Sequence, residues 1–151
     1  MKKFLICGTA GGHLSEILTL FDDAISETPH DFIILTEKST RVFPEKVRIF
    51  TYFAPRNPYL KIPFSLFKAL FLIIAFRPEW IISTGAQVGI GSILAGKLFL
   101  RKTMFIETVT RYKTPTKSAK ILYPLVDKFF VQHQEVLKLF GPKAEYIGGI
   151  I

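Results

Sequence analysis

The sequence has little cysteine, few acidic residues and no apolar run long enough to span a bilayer. Cys7 is the only cysteine, which excludes an intrachain disulfide and a multi-cysteine zinc site and is typical of a reducing compartment. Residues 4–7 are too short for the hydrophobic core of a secretory signal peptide. Residues 62–76, the longest mainly apolar stretch, number 15, whereas a membrane-spanning helix needs about 20. These absences predict a cytosolic protein.

Twelve Asp and Glu face 20 Lys and Arg, which leaves a net charge of +8. This surplus indicates an anionic partner and leaves three classes open: nucleic acid, an acidic lipid surface or a phosphate-bearing substrate. The basic residues are scattered beside apolar runs, which disfavours nucleic acid. Apolar residues make up 49% of the chain and 15 residues are Phe, which excludes a disordered or fibrous protein and predicts one globular domain over residues 1–151.

Short apolar runs alternate along the chain with segments of helical spacing. The predicted strands cover residues 4–7, 31–36, 47–53, 80–84, 103–109, 128–132 and 144–147. The predicted helices cover residues 14–25, 59–76, 88–100, 118–125 and 134–140. Buried strands separated by helices predict an α/β, Rossmann-like parallel sheet with helices on both faces. Ligands of such sheets bind at the carboxyl ends of the strands.

The first predicted strand is followed by a glycine-rich turn that ends in Gly11, Gly12 and His13. Free N–H groups and the dipole at a helix start suit a phosphate or diphosphate, although a tight turn also needs glycine. His13 would point into the same cleft as a base or a phosphate ligand, with helix capping as its alternative. A dinucleotide-binding site is a further alternative. Its glycine fingerprint would need glycine at the positions of Ala10 and His13, which disfavours it, but Glu37 stands where such sites have a ribose-binding acid and keeps it open.

A second small-residue turn follows the fourth strand and begins with Thr84 and Gly85. Because the carboxyl ends of parallel strands meet at one edge, we predict that this pair lines the same cleft. Glycines 89, 91 and 96 follow on a helix, where close packing against the sheet accounts for small residues.

Glu107 is a carboxylate at the end of an otherwise apolar strand. Burial of an unpaired charge is costly, so two interpretations remain. Glu107 forms an ion pair with a cation such as Arg111, or it is a cleft acid with a raised pKa.

Residues 62–76 contain only two polar side chains, and basic residues surround them. Lys61, Ser65 and Lys68 predict a polar stripe on the first turns of this helix. An apolar surface with basic neighbours is typical of a helix lying in the headgroup region of an anionic membrane, whereas a core helix covering the sheet is the alternative. We expect both uses, on different faces. The predicted membrane-contact residues are Lys61, Phe64, Phe67, Lys68, Phe71 and Arg77.

Four segments together resemble a known family. They are Gly11-Gly12-His13, residues 83–85, the Glu-x-x-x-Arg pattern of Glu107 and Arg111, and residues 120–132, KILYPLVDKFFVQ. This set resembles the membrane-associated subunit of the two-chain UDP-N-acetylglucosaminyltransferase of asparagine-linked glycosylation, and its bacterial relatives in capsule and exopolysaccharide synthesis. The resemblance covers essentially the whole chain. It implies the N-terminal, acceptor-side half of a GT-B glycosyltransferase, and we expect the Gly148-Gly149 pair to mark the joint to a half supplied by a separate chain.

The resemblance further implies an inverting transfer of a hexose from a UDP-sugar to a polyprenyl-diphosphate-linked sugar, with no metal and no cofactor. A heterodimeric partner would bind the UDP-sugar. The sequence lacks the N-terminal membrane anchor of the eukaryotic proteins, so we expect peripheral attachment at the inner face of the cell membrane. The expected site comprises His13 as first candidate base, Glu107 as second, and an acceptor-diphosphate cleft of Gly11, Gly12, Thr84, Gly85 and Arg111.

Two alternatives from other classes remain. One is a non-catalytic subunit that recruits a glycosyltransferase to the membrane. The other is a free-standing NAD(P)-binding Rossmann protein, which would bind the dinucleotide without a partner.

Overall fold

A computed structural model describes residues 1–149 and places seven strands in one parallel sheet of order β3-β2-β1-β4-β5-β6-β7. The strands are β1 (Lys3–Cys7), β2 (Asp31–Thr36), β3 (Val47–Thr51), β4 (Trp80–Ser83), β5 (Lys102–Ile106), β6 (Lys128–Val131) and β7 (Ala144–Tyr146). The helices are α1 (Gly12–Leu20), α2 (Asp22–Glu27), α3 (Pro58–Phe76), α4 (Ala86–Leu98), α5 (Lys117–Leu122) and α6 (Gln134–Leu137). The predicted Rossmann-like fold is confirmed.

Each central strand is buried on both faces, because helices cover the two sides of the sheet. Leu5 and Cys7 of β1 belong to a core cluster shared with α3, α4, α5 and α6, whereas Ile6 belongs to a second cluster shared with α1 and α2. Alternate side chains of a strand point to opposite faces, so a doubly covered strand needs a continuous apolar run. That requirement explains why these strands were recognisable in the sequence.

Several element boundaries differ from the prediction. The predicted helix over residues 14–25 is two helices that meet at Phe21, and its apolar spacing survives because Phe21 and Ile25 pack on the same core cluster. The strand predicted over residues 103–109 ends at Ile106. There the side chain of Glu107 accepts the backbone N–H of Thr108, so the chain leaves the sheet ladder.

Close packing explains the small residues of α4, as predicted. A Cβ at Gly96 would lie 2.7 Å from Cγ1 of Ile81 in the sheet, and one at Gly91 would collide with the Ser65 hydroxyl of α3. Ser65 is fully buried at this helix contact. The predicted polar stripe of Lys61, Ser65 and Lys68 is therefore wrong for Ser65, whose hydroxyl is used between the two helices.

Candidate functional site

The centre of the sheet contains a topological switch point. β1 and β4 are neighbours, and the chain proceeds from β1 to β2 on one side but from β4 to β5 on the other. Open α/β sheets bind ligands at such a point, outside the carboxyl ends of the strands. The turns after β1 and β4 therefore flank one crevice.

These two turns have the same backbone geometry but different surroundings. Gly11 caps α1 with a φ of 115° and Gly85 caps α4 with a φ of 118°, values that disfavour any side chain. Gly11 is exposed, and apart from its own chain neighbours no described residue has an atom within 4 Å of the place where its Cβ would stand. Gly85 is buried against the Phe105 ring and Ser118. Only the first turn is open to a ligand.

Thr84 supports the first turn and does not line the crevice. Its side chain is fully buried, and its hydroxyl donates a hydrogen bond of 3.2 Å to the backbone carbonyl of His13. The expectation that Thr84 and Gly85 line the cleft is thus corrected. Thr84 ties the two turns together, and Gly85 allows α4 to start against the sheet.

The open part of the crevice is a depression of about 260 Å³ between the first turn and the segment after β5. Its walls are lined by Thr9, Ala10, Gly12, His13, Glu16, Thr108, Val109 and Thr110. Within residues 1–149, no group of three or more His, Cys, Asp or Glu side chains is arranged to hold a metal ion.

His13 lies in the first turn of α1, on the wall of this depression. Its Nδ1 atom is buried and has no hydrogen-bond partner among the described residues. Buried polar atoms are nearly always satisfied, so an unpartnered ring nitrogen at the edge of an open crevice needs an explanation, and a ligand group bound in the crevice would provide one. A neutral imidazole offers one acceptor nitrogen, which is what a general base requires.

Glu16 forms the floor of the depression and was missed by the sequence reasoning. It is only 9% exposed, and its carboxylate accepts hydrogen bonds from Val109 N (2.6 Å), Thr108 Oγ1 (2.8 Å) and Gln132 Nε2 (2.5 Å). A glutamate on a surface helix is ordinarily solvated. The available signal was its spacing three residues after His13, which places both side chains on one helix face.

Glu107 lies outside the depression and holds the start of α5. It is 1% exposed, and its carboxylate accepts Thr108 N (3.0 Å), Thr116 N (2.8 Å) and the Thr116 hydroxyl (3.0 Å). Thr116 in turn caps α5 by accepting the N–H of Ala119. Burial raises the pKa of Glu107, although these hydrogen bonds oppose that shift. Among the ion pairs of residues 1–149 there is none between Glu107 and the exposed Arg111, but the positive charge of Arg111 also opposes the rise in the Glu107 pKa.

One face of α3 is apolar and exposed to solvent. We call this face the α3 stripe; it consists of Leu60, Phe64, Phe67, Phe71 and Ile74. The opposite face of α3 is buried through Ser65, Ala69, Leu72 and Ile73. With 19 residues and a mean hydropathy of 1.8, α3 is the one helix within residues 1–149 that is long and apolar enough to cross a membrane. The prediction that this apolar run is too short to span a bilayer is therefore wrong on length, because α3 begins at Pro58, four residues before the predicted run. The predicted division into a core face and an exposed apolar face is observed.

The basic residues predicted to flank this surface differ in their placement. Lys68 Nζ lies 5.6 Å from the centroid of the Phe71 ring, at the edge of the stripe. Arg77 is exposed at the end of α3. Lys61, in contrast, forms an ion pair of 2.9 Å with Glu37 at the end of β2. Its charge is therefore used within the protein, and the prediction that it contacts the membrane is not supported.

Glu37 is engaged within the protein. Besides Lys61, it accepts a hydrogen bond of 3.2 Å from the Tyr52 hydroxyl. Burial and the nearby Glu37 charge raise the pKa of Tyr52, so the phenol stays protonated as a donor. A ribose in a dinucleotide site would have to displace these partners, which disfavours the NAD(P) alternative.

Comparison with known proteins identifies the family. A family model described as "Oligosaccharide biosynthesis protein Alg14 like" matches residues 56–150. The chain belongs to this family. The UDP-N-acetylglucosamine transferase subunit alg14 of Schizosaccharomyces pombe is 30% identical to this Alg14-like chain, covering 97% of it and 82% of the relative. The corresponding mouse subunit is 24% identical, covering 99% of this chain and 83% of the relative.

Solved structures share the fold of this Alg14-like chain at low identity. MurG of Acinetobacter baumannii matches with a TM-score of 0.78 and 12% identity over 100% of this chain. A UDP-GlcNAc 2-epimerase from Methanocaldococcus jannaschii matches with a TM-score of 0.74 and 11% identity over 99% of this chain. The Alg14-like chain spans 46% of each of these proteins. It therefore has the fold of about half of a GT-B protein, as the resemblance implied.

Proposed function

We propose that this Alg14-like chain is the acceptor-side, membrane-associated subunit of a two-chain, inverting glycosyltransferase. Its relatives are named as UDP-N-acetylglucosamine transferase subunits, which supports a UDP-sugar as donor and N-acetylglucosamine as the first sugar to test. The acceptor is a polyprenyl-diphosphate-linked sugar, used in capsular or exopolysaccharide assembly. The partner chain binds the UDP-sugar, and the chain is inactive without it.

The observation that carries this proposal is the placement of His13 on the wall of the open depression, beside the exposed, glycine-capped start of α1. The acceptor diphosphate accepts hydrogen bonds from the free backbone N–H groups after Gly11 and Gly12. The exposed Arg111 adds positive charge near the same edge. No cofactor takes part.

The chemical step follows from that placement. His13 takes the proton of the attacking acceptor hydroxyl, whose oxygen forms a bond to the anomeric carbon of the donor sugar. The bond from that carbon to the UDP oxygen breaks on the opposite face, so the configuration is inverted and UDP leaves with the electron pair. Backbone amides and basic residues of the partner neutralise the leaving diphosphate without a metal ion.

The α3 stripe provides the membrane attachment in this proposal. Its apolar side chains enter the headgroup region of the cytoplasmic leaflet while the other face of α3 stays packed on the domain. Lys68 and Arg77 contact anionic lipid phosphates. α3 follows β3 and therefore begins at the carboxyl edge of the sheet, so the stripe starts at the same edge as the depression.

The proposal is tested by sugar transfer in the reconstituted two-chain enzyme. His13→Ala is expected to lower kcat by about 10²- to 10⁴-fold, the usual contribution of a general base. The matched control is His30→Ala, because His30 packs on Phe4 near the opposite end of β1 and is expected to leave kcat unchanged. Wild-type turnover by His13→Ala would show that the base assignment is wrong.

A non-catalytic recruiting subunit is the second candidate, and the exposed α3 stripe favours it. Such a subunit would tolerate His13→Ala but would fail at the membrane when the stripe is made polar. Because both candidates use the α3 stripe at the membrane, the effect of His13→Ala on turnover is the result that separates them.

A further inference from the structure

We infer that Glu16 is a positioning residue that holds the two walls of the depression at a fixed separation. That the acceptor binds between these walls rests on the proposed function, whereas the hydrogen bonds by which Glu16 joins the walls are seen in the structure of this chain. Glu16 extends from α1, the wall that carries His13, and its partners Thr108 and Val109 lie on the opposite wall. Thr108 and Val109 follow β5, more than 90 residues further along the chain.

The carboxylate of Glu16 is fully engaged by donors and not by a cation. One oxygen accepts both Val109 N and Gln132 Nε2, and the other accepts the Thr108 hydroxyl. Within the described residues 1–149, no Lys or Arg forms an ion pair with Glu16. Hydrogen bonds to an ionised acceptor are short and strong, so three of them fix the side chain and what it contacts.

Among the hydrogen bonds of the described residues, those of Glu16 are the ones that connect the Thr108–Val109 segment to the first wall. The carbonyl of Val109 contacts Nε2 of His133 at 2.5 Å, and Thr108 N donates to Glu107. His133 follows β6 and Glu107 follows β5, so neither contact reaches the wall formed by α1. Without Glu16, the Val109 N–H loses its acceptor and the wall is free to move away from His13. The distance between base and acceptor would then no longer be set.

This geometry also separates positioning from base catalysis. In Glu16→Gln, the amide oxygen still accepts Val109 N and Gln132 Nε2, and the amide nitrogen donates to the Thr108 hydroxyl, which accepts as well as donates. In Glu16→Leu, all three interactions are lost. A positioning role therefore tolerates glutamine, whereas a base requires the charge.

The test in the two-chain enzyme compares both variants with polyprenyl-diphosphate-linked N-acetylglucosamine as acceptor. Glu16→Leu is expected to raise the acceptor KM by about 10-fold or more with a smaller change in kcat, and to leave the UDP-sugar KM unchanged. Glu16→Gln is expected to lose no more than about 5-fold in kcat/KM. A loss of about 100-fold or more in kcat for Glu16→Gln would overturn the proposal in favour of a base.

A second readout uses the isolated chain and does not depend on activity. Amide hydrogen exchange of the Val109 segment should accelerate in Glu16→Leu but not in Glu16→Gln, with β4 protected in both as evidence of an intact fold. Thr108→Val, which removes one donor only, should give an intermediate acceleration and serves if Glu16→Leu does not fold. Unchanged exchange in these variants would overturn the inference even if transfer is confirmed. Absence of transfer with the expected exchange would instead contradict the proposed function alone.

Discussion

At the scale of single residues, three buried or half-buried carboxylates lie at the carboxyl edge of the sheet. Each of them is bound by donors from other parts of the chain. Glu37 accepts Tyr52 and Lys61, Glu107 holds the start of α5, and Glu16 joins the two walls of the depression. The sequence could single out Glu107, because it interrupts an apolar strand. For Glu16 the sequence offered only its spacing from His13, because the donors that bury it come from segments that the fold brings near.

Glu107 predicts a specific pH dependence of stability. Its pKa in the folded state is raised above the ordinary value of 4.5 by burial. As pH rises above 4.5, the unfolded chain loses this proton before the folded protein does, so the contribution of Glu107 is lost as pH passes its folded pKa. Denaturant unfolding across pH should therefore show wild type losing stability relative to Glu107→Gln over that window. Parallel pH curves for the two proteins would contradict the burial effect.

At the scale of secondary-structure elements, the strands were predictable and their ends were not. Runs of about five apolar residues are the physical requirement of a sheet covered on both faces, so they stand out in the sequence. The ends depend on individual side-chain bonds, such as the bond from Thr108 N to Glu107 that turns the chain after β5. Likewise, apolar spacing located α3 but did not show that Ser65 faces α4 and that Lys61 turns to Glu37.

The exposed face of α3 predicts membrane binding that a single charge should weaken. Phe67 and Leu98 are both 69% exposed, but only Phe67 belongs to the α3 stripe. Phe67→Asp should reduce sedimentation with vesicles of anionic phospholipid by about 10-fold or more. The ring that would be buried in the lipid is lost, and the new carboxylate is repelled by the anionic headgroups. Leu98→Asp, the matched control, should bind like wild type. Equal losses in the two variants would show that α3 is not the contact.

At the scale of the whole molecule, the proposed acceptor site and the start of the proposed membrane contact lie at the same carboxyl edge of the sheet. The depression lies at the β1/β4 switch point, the open helix start faces it, and α3 begins at the same edge before extending along the domain. The net charge of +8 fits two anionic contacts, a diphosphate and a lipid surface. Composition alone allowed nucleic acid as well, and only the placement of residues favours lipid and diphosphate.

The central claim is that this chain supplies the acceptor half of the active site. The most direct measurement is the affinity of the isolated chain for polyprenyl-diphosphate-linked N-acetylglucosamine in detergent micelles, compared with its affinities for UDP-N-acetylglucosamine and for NAD(P). We predict a Kd for the lipid-linked acceptor on the order of micromolar and binding of the other ligands at least about 100-fold weaker. Tight binding of UDP-N-acetylglucosamine or NAD(P), with no binding of the acceptor, would contradict the account.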